Sequence, residues 1–121
     1  MTEGFDGILE RRITLCGSTR FKRTFADWNL RLTLAGHIVY SVAICGHAEG
    51  VNHSRSEKSR LDAVHMLKIL NSDAIFVLDV GGYIGESTER EIAFAELLKK
   101  PVYHLSETCP DWVDETGPED G

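Results

Sequence analysis

Glu91 closes the polar run Gly85-Glu86-Ser87-Thr88-Glu89-Arg90-Glu91, which follows Gly81-Gly82 and leads into the apolar Ile92-Ala93-Phe94-Ala95. A carboxylate beside a glycine-rich turn can attack an anomeric carbon or stabilise an oxocarbenium-like centre. Departure of the leaving group then needs a proton, and Asp79, His65 and His47 are the candidate donors. A second run, Gly17-Ser18-Thr19-Arg20, combines a tight turn, two hydroxyls, backbone N–H groups and a forked cation. That combination suits a phosphate at a helix N-terminus. It is not a Walker loop, because it lacks the second glycine and the lysine. Tyr83, Gly85, Ser87, Thr88 and His47 complete the candidate binding residues.

Each feature also has a plainer reading. Thr88 and Glu91 have capping-box spacing, and Ser18 or Thr19 can cap the helix that follows. Asp79 can serve an Asx-type turn. His65 can be a structural histidine, and Cys16 a small core residue at a strand end. Tyr83 and Ile84 can wall a site or fill the turn. His47 and His53 share a loop, but no nearby carboxylate or cysteine completes a ligand set, so no metal is expected. No nucleophile elbow of the serine hydrolases is present.

The elements that must position these groups alternate. Residues 12–16 read as a first strand ending at Gly17. Phe21, Phe25, Trp28, Leu32 and Leu34 form an approximate helical stripe closed by Gly36. Residues 37–44 read as a second strand, and 45–55 as a polar loop. Residues 56–72 read as a second helix with Leu61, Val64, Leu67 and Ile69 among its apolar positions. Residues 73–80 form a nearly continuous apolar run, the pattern of a strand buried on both faces. A third helix opens near Thr88, and residues 101–105 read as a fourth strand. The order predicts an α/β domain with a parallel sheet of four or five strands and helices on both faces. Ligands bind beyond the carboxyl ends of such strands, here at residues 17–20, 45–55 and 79–88. Asp73 precedes its strand, which puts it at the opposite edge of the sheet.

The chain has 121 residues, enough for one domain, with residues 1–10 and 114–121 expected to be flexible. Its net charge of −6 argues against sequence-independent binding to a nucleic acid backbone. Three scattered cysteines and the lack of a signal-like or membrane-spanning run predict a cytoplasmic protein without disulfides.

The segments RITLCGSTRF, SDAIFVLDV and STEREIAFA resemble the nucleoside 2-deoxyribosyltransferase-like superfamily, over roughly residues 12–105. EIAFA is similar to the family's nucleophile segment, whose glutamate falls on Glu91. GSTR resembles the 5′-phosphate loop of the nucleoside monophosphate glycosidases, on Ser18 and Arg20. The resemblance implies a flavodoxin-like three-layer fold, cleavage of an N-glycosidic bond through Glu91, and homo-oligomers that share sites. Family enzymes often carry an aspartate near the position of His65; Asp62 lies one turn earlier. They also often have a polar residue where this chain has Gly85.

The reading is hydrolysis or transfer at the N-glycosidic bond of a (deoxy)nucleoside 5′-monophosphate, without metal or cofactor, in a homodimer or higher homo-oligomer. Two others stand beside it: a non-catalytic nucleotide-binding module, and a glycohydrolase acting on NAD or a signalling nucleotide.

Overall fold

The computed structural model describes residues 11–42 and 54–107. Within them the chain runs β1 (Arg12–Cys16), α1 (Lys22–Leu34), β2 (Ile38–Tyr40), α2 (Arg55–Leu70), β3 (Ala74–Val77), α3 (Glu86–Leu97) and β4 (Val102–His104). Single 3-10 turns at Thr19–Phe21 and Val80–Gly82 follow the ends of β1 and β3. The four strands are parallel in the order β2-β1-β3-β4. This is the flavodoxin-like arrangement, in which the order reverses beside the first strand.

The alternation of side chains along β1 and β3 builds two cores. Ile13, Leu15, Phe76 and Leu78 meet Phe25, Trp28 and Leu32 of α1 on one face. Cys16, Ile75 and Val77 meet Ile69 of α2 and Ala95 of α3 on the other. The period of two along a strand therefore sends Cys16 toward α2 and α3 while Leu15 faces α1. Asp73 holds the amino end of the sheet, accepting from the Arg12 backbone N–H at 2.7 Å. No helix among the described residues is long and apolar enough to cross a membrane.

Several sequence expectations shift. Of the predicted second strand, the paired part among the described residues is Ile38–Tyr40, and residues 43 and 44 lie outside them. The third ends at Val77, because Asp79 leads directly into the 3-10 turn. On α1 the buried stripe is Phe25, Trp28 and Leu32, whereas Leu34 is exposed. On α2 the difference is larger. Leu61, Val64 and Leu67 are exposed, and the buried residues are His65 and Ile69. A histidine thus occupies a core-facing helix position that a leucine would normally take.

The capping box is also relocated. Helix α3 starts after Gly85, which makes no side-chain cap, so Thr88 is its third residue and Glu91 lies in its second turn. The reciprocal box sits instead on α2. Ser54 Oγ accepts from the Glu57 N–H at 3.1 Å, and Glu57 Oε1 accepts from the Ser54 N–H at 2.9 Å. Glu91 is therefore released from the capping role that its spacing allowed.

Candidate functional site

A cavity of about 340 Å³ opens at the carboxyl ends of β1 and β3, between α2 and α3. Gly17, Ser18 and Thr19 supply one side, and Tyr83, Gly85, Ser87, Thr88 and Glu91 another. Val42, Leu61 and Val64 form an apolar wall, with Lys58, Asp62, His65 and Lys68 beside it. A pocket with apolar walls and a few convergent polar groups is the usual form of a small-molecule site.

Gly17 lets the chain leave β1 so abruptly. Its φ of 147° is disfavoured for a side-chain-bearing residue, and a Cβ there would lie 3.1 Å from the Leu78 carbonyl oxygen. Ser18 then caps the first 3-10 turn, its hydroxyl accepting from the Arg20 N–H at 3.2 Å. The Arg20 side chain does not line the cavity wall. Its guanidinium stacks 4.3 Å from the centre of the Tyr83 ring, and Tyr83 is on that wall. Phe21 meets the same ring edge-on, with centroids 6.1 Å apart.

At the base of the cavity three side chains converge from three elements. Cys16 is the last residue of β1, His65 lies on α2 and Glu91 on α3. Cys16 Sγ is 3.5 Å from His65 Nε2, and His65 Nε2 is 3.7 Å from Glu91 Oε1. Side-chain exposure is 7% for His65 and 12% for Glu91, and Cys16 is fully buried. Burial pushes the Glu91 carboxyl up to about 7, against the opposing hydrogen bond from the Cys16 thiol. Burial, helped by Lys68, pushes His65 down to about 4. Burial and the neighbouring Glu91 raise the Cys16 thiol well above its ordinary value. At neutral pH the imidazole is thus neutral, and Glu91 stands near the midpoint of its titration. A carboxyl poised in this way is suited to proton transfer or nucleophilic attack.

The proposed proton donors separate. Asp79 is absent from the cavity wall. It turns toward β4, accepting from the Ser106 N–H at 2.9 Å and the Ser106 hydroxyl at 2.7 Å, and lying 3.1 Å from His104 Nδ1. Burial raises its pKa, but these hydrogen bonds outweigh burial and hold the carboxyl below its usual value. Its geometry is that of a clasp between the end of β3 and the end of β4, not of a partner for Glu91. His65 is on the wall, but as a neutral imidazole it lacks the extra proton of a strong acid. Asp62 is also on the wall, held by Lys58 Nζ at 3.2 and 3.3 Å from its two oxygens. His47 lies outside the described residues.

Cys16, Lys58 and Lys68 join the candidates that the sequence supplied, and Asp62, which the sequence places one turn before His65, is on the wall. For Cys16 the missed signal was strand parity, since Thr14 and Cys16 share a face opposite to Ile13 and Leu15. For the apolar wall it was the mismatch between Leu61 and Val64 and the buried stripe of their own helix.

No protein-family model and no curated protein sequence matches this chain. Its structure is similar to that of a 2-deoxyribosyltransferase from the psychrotolerant bacterium Bacillus psychrosaccharolyticus, described as a biocatalyst for nucleoside synthesis. The TM-score is 0.63 at 18% identity, over 90% of this chain and 93% of the other. At that identity the likeness establishes a shared fold.

Proposed function

We propose that the chain breaks the N-glycosidic bond of a nucleoside 5′-monophosphate, with Glu91 as the catalytic carboxylate. The observation that carries this reading is the placement of Glu91. It is freed from capping, nearly enclosed, and set on the wall of a cavity large enough for a small ligand. The likeness to a nucleoside-processing enzyme of the same fold supports the substrate class.

In this mechanism a Glu91 oxygen attacks C1′ as the C1′–N bond breaks. The bond electrons leave with the base, which takes up a proton. A glycosyl ester on Glu91 remains, and water or an acceptor base attacks C1′ to release the carboxylate. Cys16 and His65 hold the carboxylate, and the Lys58–Asp62 pair on the wall passes a proton to the departing base and takes one back from the attacking water or acceptor base. The backbone of Gly17 to Thr19 receives the phosphate, with Arg20 approaching from the Tyr83 rim. Val42, Leu61 and Val64 offer apolar surface to the base. A homo-oligomer belongs to the same reading, supported by the exposed Leu67 and Leu70 on α2.

One observation favours a second reading. Glu86 stands on the cavity wall in the first turn of α3, where its charge opposes a phosphate. An unphosphorylated nucleoside, with base exchange rather than hydrolysis, fits that feature better. Base release from a panel of nucleosides and their 5′-monophosphates, with and without an acceptor base, distinguishes the two. Glu91→Gln should lower release by at least about 10³-fold while ligand binding persists. Full turnover by that variant overturns the role of Glu91, and binding without release by the wild type leaves a nucleotide-binding module.

A further inference from the structure

We infer that Cys16, His65 and Glu91 form a binding site for a zinc-class divalent cation, and that filling it silences the catalytic glutamate. The second half rests on the function proposed above; the first does not. The three donor atoms, one sulfur, one ring nitrogen and one carboxylate oxygen, all lie within 4.8 Å of one another. Tetrahedral zinc with ordinary bond lengths separates its sulfur, nitrogen and oxygen ligands by about 3.3–3.6 Å along the edges. The observed Cys16–His65 separation of 3.5 Å and His65–Glu91 separation of 3.7 Å are close to that spacing before any adjustment.

The donor set selects the metal class. Magnesium and calcium take oxygen ligands, whereas a thiolate with an imidazole suits zinc or cobalt. Rigidity favours a preformed site. Cys16 ends a strand in the middle of the sheet, and Ile69 and Ala95 anchor α2 and α3 against the same core. His65 and Glu91 also line the cavity, so a fourth position can open toward water or a ligand. Three protein ligands and one open position are the usual pattern of a zinc site that is not purely structural.

Binding requires Cys16 to give up its thiol proton, and Glu91 to give up its own where it is protonated. Both protons pass to solvent as the cation takes the two anions. A Glu91 oxygen lone pair bound to metal is withdrawn from attack on C1′. The same three residues then alternate between a glutamate held for catalysis and a metal complex that occupies it.

The test uses the full chain, freed of metal with a chelator and titrated with cobalt(II) alone. One cobalt per chain should bind with a thiolate-to-cobalt charge-transfer band in the near ultraviolet, and zinc(II) should displace it. The band should vanish in Cys16→Ser and persist in the double variant Cys45→Ser/Cys109→Ser. His65→Gln is the second probe if Cys16→Ser fails to fold, and it should lose the tetrahedral visible bands. Absence of the charge-transfer band in wild-type protein, its survival in Cys16→Ser, or its loss in the double variant overturns the site. Zinc should suppress base release by the metal-free enzyme at least tenfold, and reversal by chelator completes the expected result. Zinc that leaves release unchanged or raises it overturns the silencing. If the metal-free protein releases no base, the glycosidic reading falls and the silencing with it, while the cobalt band alone decides the site.

Discussion

His65 Nε2 stands 3.7 Å from Glu91 Oε1, yet the two do not form an ion pair at any ordinary pH. An ion pair needs a protonated imidazole and an ionised carboxyl together. Burial pushes His65 down to about 4 and Glu91 up to about 7, so the order of titration is inverted. Between those values both groups are neutral. Above about 7 the carboxylate faces a neutral ring and a thiol that can donate to it.

The pH dependence of catalysis follows from that order. In the proposed mechanism, attack requires the ionised carboxylate of Glu91. The kcat/KM of metal-free enzyme should therefore climb by roughly tenfold per pH unit below the Glu91 value and level off above it. The expected turning point is near 7. Base release measured across the acid and neutral range checks it. A profile already flat from about pH 5 upward contradicts a buried catalytic carboxyl.

Stability carries the same two groups with opposite signs. Glu91 has a folded pKa of about 7 against 4.5 for a free glutamate, so its stabilising effect is complete below 4.5 and is lost as pH rises toward 7. His65 has a folded pKa of about 4 against 6.5, so its effect is complete above 6.5 and is lost as pH falls toward 4. Glu91→Gln removes the first dependence and leaves the second. The variant should gain on wild type by up to about 3 kcal/mol between about pH 4.5 and pH 8. Urea midpoints of both proteins at those two pH values measure the difference, and parallel curves contradict it.

Asp79 gives a contrasting case, in which a conspicuous carboxylate serves the fold. Its oxygens accept two bonds from Ser106 and face His104, tying the segment after β4 to the end of β3. Asp79→Ala strands those donors and should cost about 1–3 kcal/mol of stability. Base release per folded molecule should change by less than about twofold, against at least about 10³-fold for Glu91→Gln. Denaturant unfolding paired with turnover at a temperature where both proteins are folded separates the roles. A loss of turnover in Asp79→Ala without a loss of stability reverses the assignment.

The succession of strands and helices along the chain and the two crevice-forming turns were legible because they follow local rules. Continuous apolar runs, the Gly17 break and the alternation of strand and helix all sit within a few residues of one another. The helix starts were less legible. Ser54-Glu57 and Thr88-Glu91 have the same capping-box spacing, and tertiary packing alone decides that α3 begins at Gly85 and takes Thr88 inside. Nor did periodicity reveal which side of α2 is buried. Of the apolar positions Leu61, Val64, Leu67 and Ile69, only Ile69 is buried, and the other buried residue of the helix is His65, one turn before it on the same face. The Cys16–His65–Glu91 cluster joins residues 49 and 26 positions apart in the chain, a contact that only the sheet and its two helices create. Resemblance pointed to Glu91 and Arg20, but the geometry distinguishes them: one is enclosed at the base of the cavity, the other stacked at its rim.

That rim position gives Arg20 a testable role in choosing between phosphorylated and unphosphorylated substrates. Its guanidinium lies over the Tyr83 ring, with Nη2 3.5 Å from the Tyr83 hydroxyl. Arg20 directly follows Gly17, Ser18 and Thr19 in the chain, so on the proposed reading its cation would meet a 5′-phosphate held by that turn. A charge-assisted contact of that kind contributes about 1.5–3 kcal/mol, or roughly ten- to a hundredfold in KM. Arg20→Gln should therefore raise KM for a 5′-monophosphate by that factor, with kcat nearly unchanged, and leave the parent nucleoside unaffected. Steady-state kinetics on a matched nucleoside and monophosphate pair provide the measurement. Equal effects on both substrates would mean that Arg20 only braces Tyr83 through its stacking. No effect on either would remove the arginine from the site and favour the unphosphorylated substrate that Glu86 already suits.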